Sequence, residues 1–167
     1  MELTKRMQDT INEQINKEMW SANLYLSMSA HCAHVGLEGF AHWMMVQSKE
    51  EMGHAQDMMK FLLMRKGEVK ILAVPEVETD FGTPSEIAEA FYKHECLVSE
   101  LIQKVISVAR EEKDMASEDF FWKYVGEQVE EEANASKMVD DFKLVGDSRG
   151  ALMNLDRQLG QRAAAAE

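Results

Sequence analysis

The chain has 167 residues, of which 46% are hydrophobic, and a formal net charge of −12. This length suits one domain with a substantial buried core, and the negative charge argues against nucleic acid as a partner. The chain has no run of about 18 apolar residues and no signal-peptide pattern, so we expect neither a membrane span nor secretion. Two isolated cysteines, Cys32 and Cys96, favour a reducing compartment and a cytoplasmic location.

Apolar residues recur at helical spacing in four long segments. They predict helices over about residues 3–34, 38–66, 84–112 and 117–145. A short fifth helix is predicted over about 149–159, followed by a frayed tail at 163–166. The third helix opens at Thr83-Pro84-Ser85-Glu86, a capping box with proline at the first helical position. Outside these helices, only residues 69–74 resemble a strand.

The lengths of the connections predict the topology of the helices. Short connections join the first helix to the second and the third to the fourth, so each pair forms an antiparallel hairpin. About 17 residues separate the second helix from the third, and an extended segment of that length reaches about 55 Å. This exceeds the roughly 40 Å length of the helices, so the segment can cross the whole bundle. The sequence therefore predicts a single all-α domain over residues 1–167: a four-helix bundle with a long crossover and a short fifth helix.

Each long apolar stripe contains a carboxylate near the middle of its helix. Burying an unpaired carboxylate costs several kcal/mol or forces it to take up a proton. No lysine or arginine lies in the central positions of the stripes, so bound cations are the simplest source of counter-charge. The four carboxylates are Glu18, Glu51, Glu95 and Glu131.

The two predicted hairpins place their polar residues in the same register. Glu51 follows Glu18 by 33 positions, and Gln128 follows Glu95 by the same interval. His54 lies three residues after Glu51, on the same helix face, so both side chains can point at one ion. Oxygen ligands with a single imidazole suit iron or manganese better than a structural zinc ion.

Three segments resemble ferritin, and in particular the bacterial non-haem type. They are Asn12-Glu13-Gln14 through Glu18 to Tyr25, Glu50-Glu51-Met52-Gly53-His54-Ala55, and Glu127-Gln128-Val129-Glu130-Glu131-Glu132. The resemblance covers about residues 3–160, including the crossover and the fifth helix. It implies a ferroxidase that oxidises Fe(II) with O2 or H2O2 at a dinuclear centre. It also implies self-assembly into a 24-subunit shell that stores the iron as a ferric oxide mineral.

The resemblance implies two iron sites that share one ligand. The first would use Glu18, Glu51 and His54. The second would use Glu51 as a bridge, together with Glu95 and Glu131. Because the second hairpin has Gln128-x-x-Glu131 in place of a second Glu-x-x-His motif, that site is poorer in strong donors, and we expect its metal to be released more easily.

Further residues are assigned beside these ligands by the same resemblance. Gln128 would hydrogen-bond a ligand or bound oxygen, and Tyr25 matches a tyrosine beside the centre. Three glutamates lie off the inner stripes at positions that, with the residue at Glu131, form a third iron site in bacterial ferritins: Glu50, Glu127 and Glu130. A solvated acidic face is the alternative interpretation of these three.

Three other functions compete with iron storage as interpretations of the sequence. Met52 occupies a position that resembles the haem-ligating methionine of bacterioferritin, but Gln128 and Glu131 depart from that pattern, and we expect no haem. A discrete di-iron oxidase or peroxidase of the rubrerythrin type is the alternative enzyme, although the chain has no Cys-x-x-Cys pair. A bundle with structural carboxylates would bind iron without turning it over.

Overall fold

The computed structural model describes residues 2–163, which form five helices and no strand. The helices are α1 (Lys5–His34), α2 (Glu38–Met64), α3 (Pro84–Glu111), α4 (Met115–Val145) and α5 (Arg149–Leu159). The predicted all-α architecture is confirmed, and the bounds agree to within two residues, with α5 matching at both ends. The predicted frayed tail lies outside the described residues except for Ala163.

Side-chain caps mark the starts of four of these helices, α1, α3, α4 and α5. The predicted capping box of α3 is present, with Thr83 and Glu86 bonding each other's backbone N–H groups. The carboxylate of Asp114 accepts the backbone N–H of Ser117 at 3.2 Å and starts α4 at Met115, two residues earlier than predicted. Ser148 caps α5 in the same way.

The bundle buries its apolar side chains in two clusters. α1 packs along α2, α3 packs along α4, and α1 also contacts α3. One cluster includes Phe40 and Phe91, and the other includes Ile11 and Phe121. The predicted carboxylates fall, in each helix, between residues of one cluster and residues of the other. The core is therefore divided by a polar layer near the middle of the bundle.

The crossover between α2 and α3 is held by amide side chains of α1. Gln8, Asn12 and Asn16 follow one another at intervals of one helical turn, and their side-chain oxygens accept backbone N–H groups at distances of 2.7 to 2.9 Å. The donors are alternate residues of the crossover: Glu68, Lys70 and Leu72. This ladder takes the place of a neighbouring strand, so residues 69–74 remain extended without forming the strand that their composition resembles.

The fifth helix docks on the start of α2. Leu155 and Leu159 are buried, and the Asp156 carboxylate accepts the backbone N–H groups of Gly39 and Phe40 at 3.1 and 2.9 Å. Asp156 thus supplies the cap that α2 lacks locally, because the N-cap residue Leu37 makes no side-chain hydrogen bond. None of the helices within residues 2–163 is both long enough and apolar enough to cross a membrane.

Candidate metal centre

The four long helices each contribute polar side chains to the layer between the two apolar clusters. Glu18 of α1, Glu51 of α2 and Glu95 of α3 are at most 1% exposed, and Gln128 of α4 is also buried. Each of these side chains lies on the inward stripe of its own helix, as the periodicity predicted. The fold therefore gathers acidic groups from separate parts of the sequence into one buried site.

Glu18, Glu51 and His54 form a group with the spacing of a metal site. One ligand atom from each side chain lies within 4.8 Å of the others, and within residues 2–163 no other three acidic, histidine or cysteine side chains meet this spacing. The Oε2 atoms of Glu18 and Glu51 are buried and have no hydrogen-bond partner. Buried carboxylate oxygens without partners are costly, so this donor set fits a bound cation.

The electrostatics of this group also favour a cation. Burial, together with the charge of Glu51, raises the pKa of Glu18 well above its usual value, and burial raises the pKa of Glu51 as well. Burial alone would lower the pKa of His54, but its contacts with Glu127 and Glu51 raise that pKa to about 11. The imidazolium supplies one positive charge, which a bound metal would replace by displacing the proton.

A second set of side chains surrounds Glu95. Its carboxylate accepts hydrogen bonds from the Tyr25 hydroxyl, from Gln128 Nε2 at 3.1 Å and from Gln47 Nε2 at 3.3 Å. Gln47 Nε2 also donates to Glu131 Oε2 at 3.1 Å, so one amide joins the two carboxylates. Burial raises the pKa of Glu95 to about 7. Glu95 and Glu131, two of the three side chains predicted for the second site, are therefore linked in one network with Tyr25 and Gln128.

The three outer glutamates are not joined to one another by any polar contact in the described part of the chain. Glu50 Oε2 pairs with Arg162 Nη2 at 2.5 Å. Glu127 Oε2 lies 3.1 Å from His54 Nε2, while Glu130 is exposed. The set predicted for a third metal thus borders the centre without forming a group of its own.

Three contributors to the site were absent from the sequence-based prediction. Gln14 donates to Glu18 Oε1 at 2.8 Å, and Gln47 joins Glu95 to Glu131. Gln47 stands in the apolar stripe of α2 one turn before Glu51, so its position was a usable signal. Arg162 gave no such signal, because it lies beyond the last helix and is near the centre only because α5 docks on α2.

The chain is similar to known proteins in both sequence and fold. A family model described as a ferritin-like domain matches residues 8–145. A bacterial non-heme ferritin of Bacteroides fragilis is 48% identical over 160 residues, covering 96% of this chain and 99% of that protein. One of Campylobacter jejuni is 34% identical over 157 residues, covering 94% of each chain. The solved open pore ferritin of Archaeoglobus fulgidus superposes with a TM-score of 0.94 at 41% identity, covering 96% of this chain and 98% of its own.

Proposed function

Because the chain belongs to the ferritin family, we propose that it oxidises Fe(II) at the buried centre and stores the product as a ferric oxide mineral. The observation that carries the proposal is the group of Glu18, Glu51 and His54, with two buried carboxylate oxygens that lack hydrogen-bond partners. Iron is the substrate of the reaction and the cargo of the assembly.

The charges of the centre match two ferrous ions. Four carboxylates supply four negative charges, which two divalent cations would neutralise, and His54 would bind as the neutral imidazole after losing its proton. Two Fe(II) ions supply the two electrons that reduce O2 to H2O2, or H2O2 to water. Mostly oxygen donors with one nitrogen donor suit iron in both oxidation states.

We assign the first iron to Glu18, Glu51 and His54, and the second to Glu51, Glu95 and Glu131. Gln128 and Tyr25 would hold the Glu95 carboxylate by the hydrogen bonds already described. Glu95 and Glu131 share the amide of Gln47, so a second iron would compete with this donor for the charge of the two carboxylates. This competition supports weaker retention of the second iron than of the first.

The outer glutamates would receive iron that leaves the second site. Glu50 and Glu127 border the centre, and the exposed Glu130 lies on the same helix as Glu131. We therefore assign a third iron to Glu50, Glu127 and Glu130, with Glu131 shared between the two sites. Occupying it requires the ion pairs of Glu50 and Glu127 to break.

Storage also requires an assembly of chains. One bundle of 19.0 kDa encloses no space for a mineral, so we propose a hollow shell of closed symmetry, with 24 subunits as in the family that the sequence resembles. Large apolar side chains exposed on the single chain supply contact surface for neighbours, among them Leu26, Leu63, Met64, Leu72 and Leu144. The two cysteines and this function fit the cytoplasm.

Rapid-mixing measurement of Fe(II) oxidation tests the site assignment. Glu51→Ala and His54→Ala should abolish the fast phase at two Fe(II) per chain and leave the helical circular dichroism spectrum unchanged. Glu100→Ala, which removes an exposed glutamate of α3, is the matched control and should oxidise iron at the parental rate. Parental rates in both ligand variants would refute the assignment.

A further inference from the structure

A side chain from beyond the last helix lies at the edge of the metal centre. The guanidinium of Arg162 donates to Gln47 Oε1 at 2.7 Å and pairs with Glu50 Oε2. It also stacks on the ring of Trp43, 4.4 Å from the centroid, and only 14% of the side chain is exposed. The backbone carbonyl of Arg162 lies 2.8 Å from His42 Nε2. Arg162 is therefore fixed by contacts with four residues of α2.

The position of Arg162 depends on how α5 docks. Asp156 binds the first backbone N–H groups of α2, and Leu155 and Leu159 are buried against the bundle. Arg162 follows Leu159 within one turn, its N–H bonding the Leu159 carbonyl at 3.2 Å. When α5 is docked, the guanidinium therefore lies against α2 about two turns after the residues that Asp156 caps, and it is next to the Glu50 carboxylate.

Arg162 fixes two groups of the centre at once. Its hydrogen bond to Gln47 Oε1 leaves the Nε2 of that amide facing Glu95 and Glu131, the two carboxylates assigned to the second iron. Its pairing with Glu50 neutralises one carboxylate assigned to the third iron. The charge that a cation at Glu50 would supply is already supplied by the chain itself.

We propose that Arg162 is an internal cation that competes with metal for Glu50, so that the outer metal site opens only when the Arg162 guanidinium leaves Glu50. Arg162 acts as a positioning residue, because it touches ligand side chains and no substrate. The ion pair with Arg162 compensates the charge of the Glu50 carboxylate while the inner sites fill. When iron moves outward, it replaces Arg162 as the partner of that carboxylate. This inference rests on the proposed function, since it concerns the route of metal out of the same centre.

Calorimetric titration with Zn²⁺, a redox-inert probe, tests the competition without any turnover. Arg162→Ala should tighten binding of the third equivalent per chain about tenfold or more, since a partly buried charged hydrogen bond no longer opposes it. Arg162→Lys, which keeps the charge, should restore weaker binding. Arg157→Ala removes an exposed arginine of α5 and should match the parent, while Arg162→Ala combined with Glu50→Gln should lose the tightened equivalent.

Tryptophan emission reports whether the guanidinium moves. In the parent, the third equivalent of Zn²⁺ should change the emission as Arg162 leaves the Trp43 ring, and Trp43→Phe and Arg162→Ala should each lack this change. The inference is wrong if the third equivalent of Zn²⁺ binds Arg162→Ala and the parent with equal affinity. It is also wrong if neither protein binds a third equivalent, or if the third equivalent binds the parent without changing the tryptophan emission. If the first two equivalents fail to bind in every variant, the proposed function fails as well.

Discussion

The substitution Gly39→Ala should weaken the docking of α5 on the bundle. A Cβ atom at position 39 would lie 1.7 Å from the backbone oxygen of Asp156 and 3.0 Å from the nitrogen of Gly160. Ordinary contacts to carbon are about 3.5 Å, so α5 would have to move away by about 1.8 Å. That displacement breaks the two hydrogen bonds that Asp156 accepts from the start of α2.

The size of the effect follows from these contacts. Hydrogen bonds to a charged group contribute about 1.5 kcal/mol each at the lower end, so losing two costs about 3 kcal/mol. The greater helix propensity of alanine does not offset this loss, because residue 39 remains in α2 whether or not α5 is docked. A loss of about 3 kcal/mol makes the opening equilibrium of α5 about 150-fold more favourable.

Hydrogen–deuterium exchange followed by mass spectrometry measures this opening within the assembled protein. Backbone amides of α5 should exchange about 150-fold faster in Gly39→Ala than in the parent, by the same free-energy difference. Gly53→Ala is the control in the same helix, since a Cβ atom there meets nothing within 4 Å, and α5 should exchange at the parental rate. Parental exchange of α5 in Gly39→Ala would refute the reasoning.

Three further predictions concern buried groups. Because burial raises the pKa of the Cys32 thiol to about 12, iodoacetamide at pH 8 should leave native Cys96→Ser protein unlabelled and should label Cys32 only after denaturation. Because burial raises the pKa of Glu18, Glu18→Gln should stabilise metal-free protein by about 1 kcal/mol or more at pH 8. That gain should vanish at pH 4, where the carboxyl is protonated in both folded and unfolded chains; thermal denaturation at both pH values measures it. Arg65 and Asp114 form a buried pair, so Asp114→Ala should cost about 3 kcal/mol in urea denaturation, and adding Arg65→Met should recover part of the loss.

Helix positions were predictable because local physics determines them. The 3.6-residue period of the apolar stripes, the capping box at Thr83 and the lengths of the connections are all properties of neighbouring residues. The sequence did not show whether residues 69–74 form a strand or an extended connection, because composition does not indicate which groups the backbone binds. Amide side chains on α1 bind them, and this pairing joins segments about 56 residues apart.

The centre was predictable to the extent that its ligands lie on helical stripes. Glu18, Glu51 and Glu95 stand out in the sequence because each is a carboxylate in an apolar stripe, where burial without counter-charge is unfavourable. The contact of Glu127 with His54 and the contacts of Arg162 with α2 could not be predicted in this way. Both depend on side-chain directions and on where α5 docks, neither of which leaves a periodic signal in the sequence.

Aerobic loading with Fe(II), followed by measurement of particle mass and iron content, tests the account most directly. We predict a hollow particle with the mass of 24 chains of 19.0 kDa that takes up many more iron ions than the two or three assigned to each chain. A monomer or dimer whose iron uptake stops at two or three ions per chain would contradict storage and would instead support a discrete di-iron oxidase.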